Sequence, residues 1–211
     1  MNERVFPSRR NRVWLEGGIV YKQILPQPGG PDPVQTAQAE FDALRRLSAG
    51  GVPVPKPLGL DGGLLAMEYI QGVTLVEAIE RAETEGGLLA AETLAERLAQ
   101  WFASFYAACP GGVCRGDVNG RNFLLTPDDR LYGVDFEVLP PGRKETDLGR
   151  LTAFALTYDP PRTAYKQRLS QALTRRFTEL FGLDPAAVHA EHERELAAMR
   201  LRRAKNDKTP T

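Results

Sequence analysis

Between Arg115 and Leu125 the chain reads RGDVNGRNFLL, a loop of charged and amide side chains that runs straight into an apolar segment. This junction constrains the fold more than any other stretch. Phe123-Leu124-Leu125 reads as a buried strand, and a polar loop pinned to a buried strand is held still by the core beneath it. A second apolar strand, Leu131 to Phe136 in LYGVDF, follows the turn Pro127-Asp128-Asp129 and carries another acid, Asp135, at its end. Two acids and an amide at the ends of neighbouring buried strands are a frame for chemistry rather than for solubility alone.

The flanking sequence divides into two textures. Residues 1–25 read as strand segments that turn at Gly17-Gly18, a hairpin signal. A loop by composition, PQPGGPDP, precedes a helix from about Val34 to Ser48, with Ala37, Phe41, Leu44 and Leu47 at helical spacing. Gly50-Gly51 stops that helix, and the prolines of VPVPKP keep the next segment extended. Leu64 to Ile70 reads as a strand. From Gly72 onward helices dominate: about 75–83, then 91–108 with Leu94, Leu98, Trp101 and Phe105 on one stripe, and three more near 147–157, 162–181 and 185–203. The expected organisation is α+β, with a strand-rich unit over 1–71, a mainly helical unit over 72–204 that contains the polar loop, and a frayed tail over 205–211.

Asp117 and Asn122 flank four residues, Asp135 lies eighteen positions beyond Asp117, Lys22 sits in the strand IVYKQI, and Glu40 sits in the first helix. Taken in that order, these residues resemble the protein-kinase-like phosphotransferase superfamily over roughly residues 5–160. The resemblance implies a bilobal kinase-like fold, with a small antiparallel-sheet N-lobe and a helical C-lobe. It also implies ATP and Mg²⁺ as cofactors. Asp135 and Asn122 would hold the metal, Asp117 would orient the acceptor hydroxyl, Lys22 would grip the nucleotide phosphates, and Glu40 would aim Lys22. AMEYIQG resembles the hinge strand, where the backbone from Glu68 to Ile70 would meet adenine. Asp147 resembles the structural aspartate that ties down the catalytic loop.

The departures are informative. The glycine-rich phosphate loop of the superfamily would fall at Pro7 to Asn11, where this chain has PSRRN and no glycine; either Arg9 or Arg10 meets phosphate through its side chain, or both are simply solvated. Arg115 stands where histidine is usual, and Asn119 where lysine or histidine is common. Arg121 is a candidate to replace that lost cation. The DFE at 135–137 resembles aminoglycoside phosphotransferases. Only eleven residues separate Asp135 from Asp147, too few for a peptide-binding activation segment. The size is similar to that of the minimal kinases: RIO-type kinases, the KEOPS-associated kinase and the lipopolysaccharide-core sugar kinases. The expectation is a kinase that acts on a hydroxyl of a small molecule or sugar, or of a protein. The alternative is a catalytically weak, kinase-shaped binding module.

The remaining features exclude more than they add. Lys+Arg and Asp+Glu both number 27, so global charge gives no reason to expect nucleic acid as a partner. The basic end of the last helix, RLRRAK, is the charge a helix C-terminus favours. No apolar stretch reaches membrane-spanning length, and a cytoplasmic location is expected. Cys109 and Cys114 read as thiols beside a turn, and His189 and His192 as a solvated helix face without further metal ligands.

Overall fold

Gly17 and Gly18 adopt φ of 59° and 83°, so both central residues of the first hairpin lie in the left-handed region that a tight two-residue turn requires. Strands β2 (Asn11–Glu16) and β3 (Ile19–Ile24) pair across it. In this computed structural model, which describes residues 3–8, 10–84 and 89–206 (203–206 by backbone alone), they lie inside a five-stranded antiparallel sheet. The strand order is β1-β2-β3-β5-β4, with β1 at Arg4–Phe6, β4 at Pro57–Asp61 and β5 at Leu64–Glu68. Pro57 opens β4 on the sheet's edge, where a missing N–H does least harm.

Helix α1 (Pro33–Ala49) begins where its chemistry dictates. Asp32 caps it, its side chain accepting from the Val34 N–H at 2.7 Å, and Pro33 occupies the first turn. Its buried stripe is Ala37, Glu40, Ala43, Leu44 and Leu47. Phe41, which the periodicity placed on that stripe, is only half-buried, and a carboxylate takes the core position beside it.

The helical part follows β6 (Val73–Thr74). It contains α2 (Leu75–Thr84), α3 (Ala91–Ala108), α4 (Lys144–Thr157), α5 (Ala164–Phe181) and α6 (Pro185–Asn206). The polar loop lies between α3 and a small antiparallel sheet, β6-β7-β8, in which β7 is Phe123–Leu125 and β8 is Leu131–Gly133. The expected tail falls, from residue 207 on, outside the described residues, and α6 runs through 205 and 206.

Aromatic packing sets the floor beneath the loop. Trp101, on α3, meets the Phe123 ring edge-on at 5.2 Å and lies 6.4 Å from Phe136. A Cβ on Gly133 would fall 2.3 Å from the Trp101 ring, so glycine lets β8 run flush against the indole. Gly149 has the same role between helices: a Cβ there would lie 2.7 Å from the backbone N of His192, so α4 and α6 cross closely at that point. His192 is therefore not on a solvated face. It packs toward α4, and its Nδ1 lies 2.8 Å from the Thr152 hydroxyl. Both cysteines are buried and free.

Candidate active site

Lys22 lies on β3 between Val13 of β2 and Leu65 of β5, and the strand's alternation turns it inward with Ile24. An amine buried to 5% exposure needs anionic partners. Lys22 has three: Glu40 Oε2 at 2.7 Å, Asp135 Oδ1 at 2.6 Å and Glu137 Oε1 at 2.9 Å. Burial alone would lower the ammonium's pKa, but the three carboxylates together raise it, so it stays charged. Glu40 is more deeply buried than Lys22, and desolvation pushes its carboxyl upward against the pull of the Lys22 charge. Its second oxygen accepts from the Phe136 N–H at 3.1 Å, so α1 grips both the lysine and the backbone just past Asp135.

Asp135 has φ of 66°, a left-handed conformation that aspartate tolerates better than most residues. The chain leaves β8 with a sharp change of direction. Asp135 stays at the surface of the cleft beside Lys22, and Phe136 enters the core at 1% exposure.

The polar loop is fixed from below by Asp147, in the first turn of α4. Its two oxygens accept from the backbone N–H groups of Arg115 at 2.7 Å and Gly116 at 2.9 Å, and the Tyr106 hydroxyl donates at 3.0 Å. Burial pushes the Asp147 carboxyl upward, and these donors hold it back. Asp117 emerges on the exposed side of the loop, its Oδ1 accepting from the Asn119 N–H at 3.1 Å. Asn119 in turn accepts from the Arg121 N–H at 3.0 Å and starts the 3₁₀ turn Gly120–Asn122. The Asn119 side chain therefore shapes the loop and supplies no cation. The Arg121 charge acts on the Glu77 carboxyl and on the Tyr158 hydroxyl.

Asn122 connects the two acidic segments. Its amide reaches the Asp117 carbonyl at 3.5 Å, and its own carbonyl accepts from the Val134 N–H at 2.9 Å. Lys22, Glu40 and Asp135 are thus in direct contact, with Asp117 and Asn122 on the adjoining loop, one backbone hydrogen bond away. The other anticipated residues lie further out. Glu68 closes β5, where its carboxylate accepts from the Lys56 N–H at 3.2 Å, and Ile70 is buried just beyond the strand. Arg10 is exposed in the β1–β2 connection, and its side chain has no partner among the described residues; Arg9 lies outside them.

Two side chains matter more than the motif alone suggested. Glu137 shares one oxygen between Lys22 and the Asn11 amide, the latter at 2.5 Å, and so ties the start of β2 to the segment after Asp135. Its two-residue offset from Asp135 in DFE was the signal. Glu40, Asp135 and Glu137 have carboxylate oxygens within 4.8 Å of one another, and the Lys22 ammonium pairs with all three while offsetting one of their charges. Arg115 is fully buried, its guanidinium lying over the Phe136 ring at 4.4 Å and donating to the Val134 carbonyl at 2.5 Å.

A model of the RIO domain matches residues 34–139, half of the chain, including the first helix, the polar loop and Asp135. The chain belongs to the RIO-domain family. It is 33% identical over 102 residues to the 3-deoxy-D-manno-octulosonic acid kinase of Photobacterium damsela subsp. piscicida, covering 47% of this chain and 42% of that one. It is 27% identical over 108 residues to the EKC/KEOPS complex subunit BUD32 of Encephalitozoon cuniculi, covering 51% and 49%. The chain spans about half the length of the curated relatives it matches. Among solved structures, a choline/ethanolamine kinase family protein from Mesorhizobium loti superposes with a TM-score of 0.52 at 17% identity, over 95% of this chain and 87% of that one. That likeness shows the fold, an antiparallel sheet followed by a helical part in the manner of kinases. No helix among the described residues is long and apolar enough to cross a membrane.

Proposed function

We propose that this RIO-family chain is an ATP- and Mg²⁺-dependent phosphotransferase, with residues 1–71 as its N-lobe and 72–204 as its C-lobe. The observation that carries the proposal is the Lys22 ammonium held between Glu40 and Asp135 at 2.7 and 2.6 Å, beside the loop that bears Asp117. Phosphoryl transfer demands little covalent chemistry from a protein. It requires positioning and fixed charge. Lys22 supplies a permanent cation, pre-aimed by Glu40, for the nucleotide phosphates. Asp117 stands free enough to accept or orient an acceptor hydroxyl. The backbone from Glu68 to Ile70 offers the adenine edge, and Arg10, whose side chain has no partner among the described residues, would meet the phosphates together with Arg9.

The donor set fits Mg²⁺. Asp135 and Asn122 offer hard oxygens, and the Asp135 Oδ2 accepts no hydrogen bond among the described residues. The ion, when bound, would neutralise the charge on the phosphates; Asp135 and Asn122 are the residues that would hold it. The acceptor is proposed as a hydroxyl of a sugar or other small molecule, ahead of a protein. Two things support this order: the sugar-acid kinases among the relatives, and the short segment between Asp135 and Asp147. That segment is fastened down by hydrogen bonds from the Cys114 N–H to the Pro140 carbonyl at 2.9 Å and from the Gly142 N–H to the Gly112 carbonyl at 2.7 Å. A cytoplasmic location belongs to the same proposal.

A second reading, a kinase-shaped binding module with little or no catalysis, is favoured by Asn119, which caps the loop where a cation is common. A transfer screen with labelled ATP against sugars, small alcohols and protein separates the two. Asp117→Ala is expected to keep nucleotide binding and to lose about 10²–10⁴-fold in transfer rate. A parent protein that binds nucleotide but transfers to none of these acceptors, with or without Asp117, would favour the binding module.

A further inference from the structure

We infer that Arg115 is a positioning residue that holds the metal-side turn, Val134 to Phe136, in register with the catalytic loop. The inference rests on the phosphotransferase reading and goes beyond it. Arg115 is among the largest fully buried side chains of the described residues, and it makes no ion pair there. A buried cation without a direct counter-ion is costly, and a neutral side chain could fill the same space. What distinguishes the arginine is what it touches. One N–H group donates to the Val134 carbonyl at 2.5 Å, the guanidinium plane lies over Phe136 at 4.4 Å, and Nε has no partner. These contacts bracket Asp135 on both sides. At its other end, the Arg115 backbone N–H is fixed by Asp147 at 2.7 Å, two residues before Asp117. A single residue therefore joins the acid proposed to hold metal to the acid proposed to orient the acceptor.

The charge has a reason as well as the shape. Burial works against the guanidinium's charge and lowers its pKa, while the carboxylates of Asp135, Asp117, Asp147 and Glu40 favour that charge from a distance. Lys22 pairs directly with carboxylates from the sheet side, and Arg115 adds a second positive charge beneath the loop without a direct carboxylate partner among the described residues. In the structure Asp135 leans on Lys22. With a metal–nucleotide complex bound, Arg115 would hold the backbone on either side of Asp135 through the same contacts. Lysine would keep the charge but lose the planar face and the directed donors.

The test compares parent, Arg115→Met and Arg115→Lys by thermal melting without ligand and by calorimetric ATP binding with and without Mg²⁺, together with turnover. For Arg115→Met the expected result is a folded protein whose metal-free ATP affinity is unchanged. Its gain in affinity on adding Mg²⁺ should shrink by about tenfold and its kcat fall by about 10²-fold, as for a reacting group displaced by about 1 Å. Arg115→Lys should fall between. Should Arg115→Met not fold, Phe136→Leu removes the ring and keeps an apolar side chain, and the same loss of the Mg²⁺ gain is expected. An Arg115→Met protein that melts earlier yet keeps the full Mg²⁺ gain and kcat would reduce Arg115 to packing and overturn the inference. A parent protein that gains nothing from Mg²⁺ would instead bring down the phosphotransferase reading, and the inference with it.

Discussion

Lys22 is the residue on which stability and function meet. Removing one partner of a buried ion pair costs more than the pair contributes, because the other charge stays buried and uncompensated. Lys22→Met should therefore destabilise the protein by about 3–5 kcal/mol in denaturant unfolding, because Glu40 is only 1% exposed. Adding Glu40→Leu should return most of that loss without restoring nucleotide binding. A Lys22→Met protein as stable as the parent would contradict the buried pairing. The types and order of Lys22, Glu40, Asp117, Asn122 and Asp135 were legible in the sequence, because phosphoryl transfer needs those chemistries. Arg115 was legible only as a departure from histidine. Arginine is almost always solvated, so no local pattern announces a fully buried one. The place of Glu40 on the buried stripe was hidden for the same reason: periodicity follows apolar residues and selected Phe41 instead.

At the scale of elements, the helices with strong periodicity and clear end signals were the most legible. Helix α3 runs over Ala91–Ala108, and α1 starts at the Asp32-Pro33 cap. The two-residue strand β6 was not, because it is set by pairing with a distant partner rather than by its own alternation. Helix α2 starts with a reciprocal cap: the Thr74 N–H donates to Glu77 Oε2 at 2.7 Å, and the Glu77 N–H to the Thr74 hydroxyl at 3.2 Å. The Thr74 N–H holds the Glu77 carboxyl below its ordinary value of 4.5, against a smaller opposing effect of burial. A carboxyl lowered in the folded state adds stability above its unfolded pKa and loses it as pH falls through the folded one. The stability gap between parent and Glu77→Gln should thus be full at neutral pH and narrow below about pH 4.5. A gap that stays constant under acid would show that the cap does not depend on the charge.

At the scale of the whole molecule, the site depends on elements far apart in the chain meeting over one core. β3 brings Lys22, α1 brings Glu40, the loop after α3 brings Asp117 and Asn122, and the end of β8 brings Asp135. The α+β architecture followed from the sequence's change of texture near Gly72. The convergence came from packing that no local pattern encodes: the aromatic floor of Trp101, Phe123 and Phe136, and the Asp147 anchor. A ligand that binds only the folded state stabilises it by about 2.7 kcal/mol at a hundredfold excess over its Kd. For a chain of this length that is a rise in melting temperature of about 5–10 °C. The most direct measurement is the melting temperature with saturating ATP and Mg²⁺, for the parent and for Asp135→Ala. The expected result is a rise of that size in the parent that requires both ATP and Mg²⁺ and is lost in Asp135→Ala. No rise in the parent, or the same rise in Asp135→Ala, would contradict the site described above.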